Sequence, residues 1–136
     1  MTNTSFGYIS PENLTLFTDL YELTMMQGYY NQNHNPNATF DLFFRDLPPD
    51  RGYMIAAGLE QAIHYIEGLS FGDRTVEYLT EQGFDDGFLS HLADLEFTGD
   101  VRALPEGTPV FPNEPLLEVT APILQAQLLE TIVINQ

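Results

Sequence analysis

The 136-residue chain is long enough for one compact domain and too short for two substantial ones. It sets 20 Asp and Glu residues against 4 cations, all arginine, for a formal charge of −16. That balance excludes a nucleic-acid partner and an anionic membrane surface, because both are gripped through Lys and Arg. With no cysteine there is no disulfide framework, thiol nucleophile or cysteine-based zinc site.

Residues 1–15 are polar, carry Pro11 and Asn13 as turn signals, and read as a flexible N-terminal segment. They contain neither a basic start nor an apolar run of the secretory kind. No apolar stretch in the chain approaches the ~20 residues needed to cross a bilayer. Together with the missing cysteine, these features fit a cytoplasmic protein.

A helix is predicted from near Thr18, its expected N-cap, with Asp19 and Glu22 in the first turn. Leu20, Leu23, Met26 and Tyr30 recur at helical spacing and define its expected buried stripe. The Asn-rich run 31–37, with Pro36, ends it. Residues 39–45 alternate, placing Phe40, Leu42 and Phe44 on one face of a strand. A second helix is predicted over 56–67 with Leu59, Ala62, Ile63 and Ile66 inward, stopped by Gly68. Asp73 is the expected cap of a short helix carrying Val76 and Leu79, with Gly83 beyond its end, and Asp85 the expected cap of another carrying Phe88, Leu89, Leu92 and Leu95.

Past Phe97 the texture changes. Pro105, Pro109, Pro112 and Pro115 confine the chain to short extended pieces near 101–104, 110–111 and 116–119, with a turn at Leu104-Pro105-Glu106-Gly107. Pro122 suits the first turn of a last helix over 123–134, whose Leu124, Leu128, Leu129, Ile132, Val133 and Ile134 leave almost no polar face. Such a helix needs partners on most sides. With only Asn135-Gln136 following, it is expected to lack cover, a sign of truncation.

Few residues form a catalytic constellation. There is no Gly-rich phosphate loop, His-Glu-x-x-His or Gly-x-Ser-x-Gly. His34, His64 and His91 do not cluster with ligand spacing and read as solvated. Arg45 and Arg102 are candidates for two-pronged binding of a carboxylate or phosphate, against the plainer reading of a structural ion pair.

The segment Leu16-Phe17-Thr18-Asp19-Leu20-Tyr21-Glu22-Leu23-Thr24-Met25-Met26 strongly resembles the N-terminal signature of nicotinate phosphoribosyltransferases. In the same order, Thr39-Phe40-Asp41-Leu42-Phe43-Phe44-Arg45 resembles the family's first strand, and Ala56-Ala57-Gly58-Leu59 its next helix start. Residues 101–107 and 110–117 resemble its proline-rich stretch, and Gln127-Leu128-Leu129-Glu130-Thr131 the helix leading into its barrel. The likeness runs from Leu16 to the last residue.

The resemblance implies an α/β (α+β) fold: the N-terminal sandwich domain of a type II phosphoribosyltransferase over 16–121, then the start of a truncated barrel over 122–136, the barrel itself absent. It implies an enzyme joining nicotinate to phosphoribosyl pyrophosphate, giving nicotinate mononucleotide for NAD biosynthesis, with ATP and Mg2+ and usually as a homodimer. The tyrosine matching Tyr21 stacks on the pyridine ring, often in the neighbouring subunit's site, and the aspartate matching Asp19 lies beside it. On the residues alone, the plainer reading of Tyr21 is a core aromatic of the first helix, and Asp19 reads equally as a first-turn carboxylate. None of the three histidines matches the family's phosphohistidine motif, no metal ligand set is visible, and a polyanionic substrate finds few cations here. The expectation is therefore the N-terminal part of the enzyme, inactive alone. The alternative is a non-catalytic interaction module built from the same domain.

Overall fold

The structure, a computed structural model, describes residues 14–135; Pro11 and Asn13 lie outside them. A 3-10 turn, Leu14–Leu16, places Leu14 and Thr15 in the interior, where the Thr15 hydroxyl donates to the Ser70 carbonyl. Helix α1, Leu20–Asn31, follows, then strand β1, Asn37–Leu42, and a short strand β2, Met54–Ile55. Helices α2, Leu59–Glu67, α3, Asp73–Glu81, and α4, Asp86–Ala93, come next. Strands β3, Asp100–Ala103, β4, Pro109–Val110, and β5, Leu117–Pro122, precede helices α5, Ile123–Leu128, and α6, Glu130–Ile134.

Strand β5 is central, flanked by β1 and β3, with Phe40 and Val101 both opposite Val119. A separate ribbon pairs β2 with β4. All pairings are antiparallel, so the domain is α+β, and no barrel forms among the described residues. On β5, Leu117, Val119 and Ala121 are buried while the intervening residues are only partly so, the alternation of a sheet with one covered face. Beside it, an added Cβ at Gly99 would lie 2.5 Å from the Ala121 Cβ and 2.6 Å from the Thr120 carbonyl oxygen. Only glycine fits this close approach.

Helices α3 and α4 form where the sequence places them, except that Gly72 takes the N-cap position expected of Asp73, which becomes the first residue of α3. Gly83 ends the turn after α3 with φ 89°, and Asp85 is the N-cap of α4. Phe88, Leu89, Leu92 and Leu95 are buried together with Leu79. Other expectations shift. The helix expected from residue 56 begins at Leu59, because Met54–Ile55 is recruited into the ribbon and Gly58 turns the chain at φ 95°. Glu106 then caps α2, its Oε1 accepting from the Gly58 and Glu60 amides at 3.1 Å each. The strand expected to reach Arg45 loses its regular ladder after Leu42, where the opposing chain carries Pro112 and Pro115, which have no N–H to donate.

Two further corrections concern burial. In α1, Leu20 is exposed and Glu22 is buried with Leu23 and Met26, so the inward stripe is rotated from the expected one. This helix is nearly as apolar outside as inside, and periodicity alone could not orient it. The last helix divides at Leu129 and is covered: Leu124, Leu128, Leu129 and Ile132 are buried in the core, with α5 against α1 and the sheet and α6 against α2. Its apolar character thus serves this domain's own packing, and Ile134 is the large side chain left exposed.

Candidate functional site

The start of α1 meets the start of α6. Residues 18–22 and 127–131, far apart in sequence, are held together there by side-chain hydrogen bonds. Thr131 is the hub: its Oγ1 accepts from the Asp19 amide at 3.0 Å and donates to Glu22 Oε1 at 2.9 Å. The Thr18 hydroxyl donates to the other carboxyl oxygen of Glu22. Thr18 is thereby occupied, and the N-cap position falls to Asp19, whose side chain makes no capping bond.

Glu22 has no solvent exposure. Burial is the main cause that raises its carboxyl above the ordinary range; the Thr18 and Thr131 hydroxyls pull it back, and the charges of Glu130 and Asp19 push it up again. Tyr65, buried on α2, feels the same carboxylate: burial first, then Glu22, pushes its phenol up. Its hydroxyl has no hydrogen-bond partner among the described residues.

Tyr21 points the other way and keeps 47% of its surface exposed. Glu130 is the largest cause raising the ionisation of its phenol, followed by desolvation and the charges of Glu22 and Asp19. Glu130 Oε2 accepts from Gln127 Nε2 at 3.2 Å. Around the Tyr21 ring, Phe17, Leu20 and Met25 are exposed as well, making one apolar strip along the outer side of α1. Chemically this is a flat aromatic face set among apolar side chains, with a carboxylate, Asp19, exposed at the helix start.

The other candidates stay apart from this site. His34 lies against Tyr29 with ring centroids 6.0 Å apart, and His91 against Tyr30 at 5.3 Å. Arg102 pairs with Glu118 at 3.6 Å on the exposed side of the sheet, the plainer of its two readings. No group of three or more His, Cys, Asp or Glu able to hold a metal occurs among the described residues. No step is assigned to Mg2+ or to a nucleotide triphosphate. No helix among them is long and apolar enough to cross a membrane.

Glu22, Glu130 and Thr131 do not stand out in the sequence as site residues. The one available signal was that both 16–26 and 127–131 resemble the same family, which gives a reason to look for contact between them.

Comparison with known proteins places the domain. Residues 16–136 match the family model for the nicotinate phosphoribosyltransferase (NAPRTase) N-terminal domain. A nicotinate phosphoribosyltransferase of Mycobacterium tuberculosis is 51% identical over 122 residues, covering 89% of this chain and 26% of that protein. One from Bacillus subtilis is 43% identical over 126 residues, covering 91% and 26%. The crystal structure of human nicotinic acid phosphoribosyltransferase superposes with TM-score 0.78 at 38% identity, covering 87% of this chain and 25% of that one. The chain thus spans about a quarter of the length of the relatives it matches.

Proposed function

We propose, from the premise that this chain belongs to the nicotinate phosphoribosyltransferase N-terminal domain family, that it supplies the pyridine-facing aromatic of such an enzyme. In this reading the exposed face of Tyr21 stacks on nicotinate, and Asp19 borders the same site. The whole enzyme joins nicotinate to phosphoribosyl pyrophosphate, releasing pyrophosphate and forming nicotinate mononucleotide. It does so as a homodimer in which the apolar strip of Phe17, Leu20, Tyr21 and Met25 faces a second subunit.

The observation that carries the reading is the half-exposed ring of Tyr21 inside the segment that matches the family. A ring so placed offers a flat apolar face to a planar aromatic ligand. The rest of the chemistry needs groups that this chain does not assemble. A polyanionic sugar diphosphate is repelled by a chain of charge −16. We therefore assign product formation to the domain acting together with the remaining three quarters of a family enzyme, and none to the 136 residues alone.

The test is Tyr21→Ala in the chain joined to the remaining sequence of the Mycobacterium tuberculosis relative. Loss of an offset stack, with its burial, is expected to weaken nicotinate capture roughly tenfold while the fold persists. Unchanged nicotinate dependence together with lost thermal stability would return Tyr21 to a packing role.

A further inference from the structure

We propose that Thr131 is a positioning residue for the site at the start of α1: its hydroxyl fixes the Asp19 backbone, so that the Asp19 carboxylate and the turn carrying Tyr21 are presented in one orientation. That nicotinate profits from this orientation rests on the reading given above; the placement itself does not.

Asp19-Leu20-Tyr21-Glu22 has the spacing of a capping box, in which the glutamate three residues into the helix reaches back to the amide of the N-cap residue. Here that contact is not made directly. Thr131, from α6, stands between the two: its Oγ1 accepts from the Asp19 amide at 3.0 Å and donates to Glu22 Oε1 at 2.9 Å. A backbone amide only donates and a carboxylate only accepts, so a hydroxyl, which does both, is the group that joins them. Glu22 is a firm anchor for this relay, being fully buried and held at its other oxygen by the Thr18 hydroxyl. Thr131 is equally well seated, since Leu129, Ile132 and Val133 around it lie in the core.

The consequence falls on Asp19. Its N–H is held by Thr131, and its carbonyl accepts from the Glu22 amide at 3.0 Å. With both peptide groups committed, the directions in which Asp19 and the first turn of α1 project are set. An N-cap aspartate ordinarily turns its carboxylate back onto the first helical amides. This one makes no capping bond and is exposed. The relay through α6 thus closes the helix start while the Asp19 carboxylate and the Tyr21 face stay turned outward.

The first test uses the full 136-residue chain and reads hydrogen exchange of the Asp19 amide by NMR. Wild type is expected to protect it. Thr131→Val, which keeps the shape and removes the hydroxyl, should exchange it roughly tenfold faster or more, and Thr131→Ser should restore protection. Gly99→Ala, a destabilising change at the entry to β3, should leave the Asp19 amide protected. Should Thr131→Val not fold, Thr131→Cys takes its place, since a thiol is only a weak donor and acceptor. An unprotected amide in wild type, or equal loss of protection in Gly99→Ala, would overturn the placement.

The second test uses the enzyme completed with its relative's remaining sequence. Thr131→Val should raise the nicotinate KM roughly three- to tenfold with kcat little changed, and Thr131→Ser should reverse it. Gly99→Ala should leave that KM unchanged, which a merely structural Thr131 would not distinguish. A KM unmoved by Thr131→Val but raised by Tyr21→Ala would contradict the assignment. The two readings separate cleanly. An Asp19 amide released by Thr131→Val, with no effect of Tyr21→Ala on nicotinate, upholds the placement and removes the stacking role. An unprotected wild-type amide with a strong effect of Tyr21→Ala does the reverse.

Discussion

Thr131 and Glu22 stand 109 positions apart in sequence and share a 2.9 Å hydrogen bond that joins the first turn of α6 to the first turn of α1. A buried carboxyl group is costly unless its oxygens are satisfied, and here one hydroxyl serves each oxygen. Thr131→Val keeps the shape and removes the donor. It is expected to destabilise the domain by about 2 kcal/mol, the range for a bond to a charged or strongly polar group. Thr131→Ser should recover most of that. Denaturant midpoints of the three proteins check it.

The carboxyl of Glu22 also fixes a pH dependence. Its proton is held more tightly folded than unfolded, so its contribution to stability is full below the unfolded value, near pH 4.3 for a free glutamate, and fades as pH rises through the higher folded value. The groups facing it are Thr18, Asp19, Tyr65, Glu130 and Thr131, none of them a cation. Glu22→Gln is uncharged at every pH. Its stability relative to wild type should therefore increase from pH 4 towards neutrality, with a slope no steeper than about 1.4 kcal/mol per pH unit. Comparing the two proteins at each pH removes the shared repulsion of the other carboxylates. A flat difference would contradict burial as the dominant influence on this group.

Tyr65 offers a test of the opposite sign. Its ring is buried at 1% exposure and its hydroxyl is unpartnered among the described residues. Tyr65→Phe removes a desolvated polar atom and keeps the packing, so the domain should gain about 1 kcal/mol. A loss of that size in a thermal melt would mean that the hydroxyl is satisfied in solution.

At Gly99 the sheet leaves no room for a side chain, with the Thr120 carbonyl and Ala121 Cβ both inside contact distance of an added carbon. Gly99→Ala is expected to cost about 1–3 kcal/mol through strain on the segment entering β3. The equivalent change at Gly28, where an added Cβ meets nothing within 4 Å, should instead be neutral or slightly stabilising because it lies within a helix. Melting temperatures of the pair provide the check.

The parts legible in the sequence are those fixed by neighbours. Gly83 turns the chain at φ 89° after α3, and the prolines of 105–115 hold it in short extended pieces, because a left-handed glycine or a missing N–H acts within a few residues. What stayed hidden depends on partners far along the chain. Glu22 reads as a solvated first-turn carboxylate until Thr131 is brought beside it. Glu106 reads as part of a turn until α2 places two amides above it. The last helix reads as uncovered because nothing in its own sequence says that α1, α2 and the sheet close over it. At the site, Tyr21 and Asp19 were singled out by resemblance, whereas the bonds of Thr131 to the Asp19 amide and to Glu22 needed the tertiary contact between α1 and α6.

The most direct measurement is product formation. The purified 136-residue chain, given nicotinate, phosphoribosyl pyrophosphate, Mg2+ and ATP, is predicted to yield no nicotinate mononucleotide. The same chain joined to the remaining sequence of its relative should yield it, with nicotinate dependence that weakens in Tyr21→Ala. Clear turnover by the chain alone would contradict the account, since it would place in these residues a sugar-diphosphate site that the charge and geometry described here do not supply.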